Sequence, residues 1–280
     1  MMEFLLSNIV PIILVLVSIG FVLYKITRKK KDSNSSGGIG DSPPSNLRGV
    51  SFSYCPFGTS WERFVDMLAE YKVNMCRVFA YCGWSNFAPF EWGRYMGDLN
   101  PERVGEIRRF KDYCNSKGIW VILSMTQNNG GGGTENITSV PKGELATYIS
   151  RMVEAIGLSG IIYETANEVG DKGFQEFVLS KLRENGVRWT CSFVHDIGAT
   201  YISIHTLVKN YIGGGVIHSN DVGGYTGHYN NGDYINIARQ AKEQGGHFEF
   251  LMFWSRNGEL HSPDEIKRDY GDVLENIKSL

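Results

Sequence analysis

The segment Ile161-Ile162-Tyr163-Glu164-Thr165-Ala166-Asn167-Glu168 carries an apolar strand pattern straight into an Asn-Glu pair. A carboxyl group placed at a strand end can give and take protons, and the amide beside it can hold a hydroxyl of a bound ligand. Side chains alternate along a strand, so Glu164, Ala166 and Glu168 are expected on one side, with both glutamates turned to a common axis. Taken by itself, an Asn-Glu pair after a strand also reads as a helix start.

Two further stretches hold groups that bind polar ligands with ring-like faces. Residues 81–95 contain Tyr81, Trp84, Phe87, Phe90, Trp92 and Tyr95 without helical or alternating spacing. Sugar rings present C–H faces that stack on such planes, which makes Trp84 a candidate platform. A packed loop that closes one end of the domain accounts for the same residues equally well. Gln127-Asn128-Asn129 precede four consecutive glycines, so Asn128 is a candidate for binding hydroxyls beneath a Gly-rich lid. No Lys-Ser/Thr follows, which excludes a phosphate-binding loop of the P-loop kind.

The elements that must position these groups alternate. Strand patterns fall at 50–53, 75–79, 120–123, 160–163, 188–194, 201–205, 215–218 and 248–254. Helical patterns fall at 60–71, from Asn100-Pro101 to just before Gly118, and at 143–156, 172–185, 233–244 and 264–278. Alternation of this kind predicts a parallel sheet with helices outside, and eight strands predict a (β/α)₈ TIM barrel. Strands five to seven are too closely spaced for full crossover helices, so the barrel is expected to be trimmed there. An open doubly wound sheet is the alternative, but residues 49–59 lack the Gly-rich fingerprint it would carry after strand one.

Composition narrows the functional classes. A formal net charge of −2 argues against a nucleic-acid binder, which would usually show a basic face. Cys55, Cys76, Cys82, Cys114 and Cys191 form no Cys-x-x-Cys pair and no zinc-like spacing with histidine, so free thiols are expected, with no metal. No Gly-x-Ser-x-Gly elbow and no His-Glu-x-x-His motif is present.

The strand-four segment resembles the signature of the large clan of retaining glycoside hydrolases built on (β/α)₈ barrels. The resemblance extends over most of residues 47–280. It implies that Glu168 is the general acid/base and that Asn167 binds substrate. It further implies that Arg77, in Asn74-Met75-Cys76-Arg77-Val78-Phe79, lies near the nucleophile. By the same resemblance His205 stands at the rim after strand six, and Trp254 at the end of strand eight is a sugar platform. The clan's nucleophilic Glu at the end of strand seven is missing from 215–224. Asp221 is the nearest carboxylate, with Glu259 a second candidate. Leu207 stands where a tyrosine is frequent, and Tyr201 or Tyr225 could substitute. Either Asp221 is the nucleophile of a divergent enzyme, or the pair is lost and the barrel only binds glycan. The mechanism needs no cofactor.

The N-terminal end differs in kind. The run from Phe4 to Tyr24 holds 21 residues without a charge, which is long enough to cross a bilayer as one helix. A cleavable signal peptide would have basic residues before the run and small residues after it, and neither is present. Lys25, Arg28, Lys29, Lys30 and Lys31 follow directly, which predicts a cytoplasmic location for what comes after. The expected organisation is an anchor with its basic flank over 1–31, a Ser/Gly/Pro-rich linker over 32–46, and a barrel over 47–280.

Overall fold

The computed structural model describes residues 39–51, 61–80, 95–126, 137–204, 215–220, 231–251 and 262–280. Eight parallel strands close into a barrel in sequential order: β1 (Arg48–Ser51), β2 (Met75–Phe79), β3 (Trp120–Ser124), β4 (Ile161–Glu164), β5 (Thr190–Phe193), β6 (Tyr201–Ile204), β7 (Val216–Asn220) and β8 (His247–Leu251). The closing pair is β1 with β8, in register from Arg48↔Phe248 to Ser51↔Leu251. This is the TIM architecture, and it removes the open-sheet alternative.

Six α-helices are described: α1 (Trp61–Glu70), α2 (Pro101–Ser116), α3 (Lys142–Ile156), α4 (Lys172–Glu184), α5 (Asn231–Glu243) and α6 (Pro263–Ser279). Their starts follow local chemistry. Asn100 Oδ1 accepts from the backbone N–H of Glu102 and Arg103 ahead of Pro101, so the first orphan donors of α2 are satisfied. Ser262 and Glu265 form a reciprocal capping box on α6. Between β5 and β6 residues 194–200 make only turns and bends, so the crossover helix is missing there, as the spacing predicts.

The strands are buried on both faces, and alternation sorts them into two cores. Outward residues such as Val78, Val121, Leu123, Ile161, Tyr163 and Phe250 pack against the helices. Inward residues Leu47, Met75, Trp120, Ile122, Ile162 and Ile217 fill the lower barrel together with Cys191 and Tyr201. Gly49 makes room for this filling. A Cβ at that position would stand 2.5 Å from the Met75 carbonyl oxygen, which no substitution can relieve without moving backbone. Ile39 packs against the same lower core, and Trp189 Nε1 donates to the Asp41 carbonyl at 3.3 Å. The C-terminal part of the stretch read as a linker therefore lies along the barrel floor.

His247 opens β8 at that floor. Its Nδ1 accepts the Leu47 N–H at 2.9 Å, and its ring meets Tyr201 edge-on at 5.2 Å. Burial lowers its pKa to about 4, so the ring folds neutral. A depressed histidine contributes stability that is complete above about pH 6.5 and is lost as pH falls toward about 4. The shift corresponds to about 3 kcal/mol. Denaturant titrations between pH 7.5 and 4.5 should show this loss, and His247→Gln should remove most of the slope; equal slopes in both proteins would contradict the assignment.

Among the described residues no helix is long and apolar enough to cross a membrane. The predicted span from Phe4 to Tyr24 lies outside the described residues. Cys76, Cys114 and Cys191 are buried. Cys55 and Cys82 lie outside the described residues.

Candidate active site at the carboxyl end of the barrel

Above the apolar filling, the barrel interior turns from oil to charge. Arg77, two positions along β2 from Met75, points inward and is buried, as are Glu164 on β4 and Glu249 on β8. The guanidinium grips Glu164 in a two-pronged contact, Nε to Oε2 at 3.0 Å and Nη2 to Oε1 at 2.6 Å. Its Nη1 reaches Glu249 Oε1 at 3.0 Å, and Nη2 also donates to Asn167 Oδ1 at 2.9 Å. The planar fork thus ties three strands together, a geometry that lysine cannot reproduce. Burial opposes the positive charge on Arg77, but the Glu164 and Glu249 carboxylates outweigh it and hold its pKa above the ordinary arginine range. Cys191 lies in the same field. Desolvation and the Glu164 charge push its thiol well above its usual pKa, so it stays protonated and is a packing residue.

The chain leaves β4 in an irregular turn. The ladder with β5 ends at Glu164↔Cys191. Ala166 then packs outward into the helix-facing core, while Asn167 turns inward to Arg77. The expectation that Glu164, Ala166 and Glu168 share one side is therefore corrected: strand periodicity holds only while the ladder does. Thr126, just past β3, holds this turn by accepting from Asn167 N–H at 2.8 Å and donating from Oγ1 to the Thr165 carbonyl at 3.0 Å. Glu168 is exposed at the rim with φ of 54°, in the left-handed region. Val194, at the end of β5, also lies there with φ of 51°. Lys72, in the turn before β2 at the opposite end, lies there too with φ of 55°, and each such residue costs about 1–2 kcal/mol.

Comparison with solved structures gives the fold a context. A GH5-4 broad specificity endoglucanase from an uncultured bacterium matches with TM-score 0.60 at 12% identity, over 89% of this chain and 95% of that one. A family 5 xyloglucanase from Paenibacillus pabuli matches with TM-score 0.59 at 12% identity, over 84% and 98%. An endo-β-1,4-glucanase from Xanthomonas axonopodis pv. citri matches with TM-score 0.54 at 12% identity, over 83% and 99%. The chain shares its fold with family 5 glycoside hydrolases. No family model matches the sequence, and no curated protein matches it.

Of the residues singled out from the sequence, the structure brings Arg77 and Asn167 into direct contact and sets Glu168 next to Asn167 on the rim. Asp221, His205, Trp254, Trp84, Asn128, Glu259, Leu207 and Tyr225 lie outside the described residues. Tyr201 is located: it lies in the lower barrel with His247, away from the rim, so it does not stand in for a rim tyrosine. Three participants were not anticipated. Glu249 joins Arg77 from β8, where a lone Glu between Phe248 and Phe250 was the available signal. Gln175 on α4 and Thr126 hold the turn after β4; helical spacing with Val178, Leu179 and Leu182 marks Gln175 as inward-facing, while nothing local marks Thr126. Among the described residues no cluster of three or more His, Cys, Asp or Glu side chains could hold a metal ion.

Proposed function

We propose that the protein is a glycoside hydrolase that cleaves a β-linked glycan by double displacement. Glu168 protonates the leaving oxygen as the glycosidic C–O bond breaks, and Asp221 attacks the anomeric carbon. Glu168 then takes a proton from water, whose oxygen bonds to the anomeric carbon as the bond to Asp221 breaks and the sugar leaves. The observation that carries this reading is the contact of Arg77 with both Glu164 and Asn167, beside an exposed Glu168 at the carboxyl end of β4. That end is where barrels of this type place their chemistry. The named activities of the structural neighbours favour a β-1,4-glucan or xyloglucan as substrate class. The run from Phe4 to Tyr24 would tether the enzyme to a bilayer, with Lys25 to Lys31 holding the barrel on the cytoplasmic side.

A second reading has its own support. Strand β7, Val216–Asn220, has the sequence VIHSN and contains no carboxylate. With Asp221 unable to attack, the same barrel would bind glycan without cutting it. Incubating the purified protein with a panel of aryl β-glycosides, beside a glycan-binding assay, separates the two. Release of the aryl group supports the hydrolase. Saturable glycan binding without release supports the binding protein, and a protein that shows no release and no glycan binding removes both readings.

A further inference from the structure

We infer that Gln175, on the first turn of α4, is the positioning residue that sets the proton-donating geometry of Glu168. The inference rests on the hydrolase reading of that glutamate. Gln175 is wholly buried, and its amide is used to capacity. Oε1 accepts the Phe193 N–H at 2.8 Å and the Thr165 hydroxyl at 3.1 Å. Nε2 donates to the Val169 carbonyl at 2.7 Å and to the Phe193 carbonyl at 3.0 Å.

Two consequences follow from this pattern. Toward β5, the amide meets both the N–H and the C=O of Phe193, as a neighbouring strand would. Toward β4, it holds Thr165 and Val169, which bracket Asn167 and Glu168 on either side. The turn is thus fastened at both ends to one planar group, and its length leaves Glu168 in the left-handed region at φ 54°. Without those bonds the residue would relax toward an ordinary φ and swing its carboxyl away from the leaving oxygen. His195 reinforces the arrangement, its Nε2 donating to the Gly170 carbonyl at 2.9 Å. Gln175 is wholly buried, so it acts through the turn that carries Asn167 and Glu168 and not by reaching a ligand itself.

A leaving group of low pKa departs without a proton, whereas a poor one needs the acid. Loss of acid placement therefore shows as selective damage to poor leaving groups, which general loss of structure does not produce. The test compares 2,4-dinitrophenyl and phenyl glycosides of the sugar that the aryl panel finds cleaved. For Gln175→Leu, kcat/KM on the phenyl glycoside should fall about 100-fold, because misplacement by ~1 Å costs that order. On the dinitrophenyl glycoside it should fall less than about 5-fold, since the acid contributes little there. If Gln175→Leu does not fold, Thr165→Val, which removes one bond at constant shape, should show the same selectivity at about 5-fold. Parallel losses on both substrates, or no loss on either, overturn the positioning role while the hydrolase stands. A wild-type protein inert toward every glycoside in the panel removes the hydrolase reading and this inference with it.

Discussion

Glu168→Gln is expected to lower turnover of an unactivated β-glycan by about 100- to 10,000-fold, the usual contribution of a placed general acid/base. Gln keeps the size and hydrogen-bonding shape of Glu but has no proton to give in the required range. The side chain stands at the exposed rim, so the substitution should leave the melting temperature within about 2 °C, in line with surface changes of under about 0.5 kcal/mol. Damage should be greatest for leaving groups of high pKa. Azide, which attacks without a general base, should restore release of the sugar from the covalent intermediate. Unchanged turnover in this variant would contradict the assignment of the acid.

Arg77→Met should be strongly destabilising. It leaves Glu164 and Glu249 in a solvent-free interior with the shared cation gone, and breaking a buried ion pair from one side costs about 3–5 kcal/mol. For a domain of this size that corresponds to a fall of roughly 10 °C in melting temperature. Arg77→Lys keeps the charge but cannot make the two-pronged contact and reach Glu249 and Asn167 as well, so it should fall between the two. Restoring neutrality is the control: adding Glu164→Gln and Glu249→Gln to Arg77→Met should recover part of the loss. A melting temperature unaffected by Arg77→Met would show that the cluster is not the electrostatic hub its geometry describes.

Much of the barrel is legible in the sequence because parallel strands buried on both faces read as short apolar runs between amphipathic helices. The pattern for β2 coincides with the observed Met75–Phe79, and the trimmed crossover after β5 follows from spacing alone. The misreadings also have physical causes. At Ala166 the period-two rule was carried two residues past the last ladder pair, where the backbone is free to turn. Glu249 is not legible because a single charge in an apolar strand has no partner in the local sequence. Its partner Arg77 is 172 residues away and meets it only when β8 closes on β1. Gln175 looks like a surface residue by type alone, yet it stands at helical spacing with Val178, Leu179 and Leu182, so periodicity does mark it as inward-facing; the partners of its amide, in the turn after β4 and on β5, are what local sequence does not encode. Asn167, by contrast, is legible from its place beside Glu168 after an apolar strand, and Arg77 from the resemblance of whole strand ends to a known clan.

The substrate side of the account turns on whether Asp221 forms a bond to sugar. Intact-protein mass spectrometry after incubation with 2-deoxy-2-fluoro aryl β-glycosides reads this directly, because the fluorine slows breakdown of a glycosyl ester more than it slows formation when the leaving group is good. A gain of one fluorosugar per chain is expected, mapped by peptide sequencing to Asp221 and missing from Asp221→Asn. An adduct mapped to another residue, or no adduct from any member of the series, would contradict it.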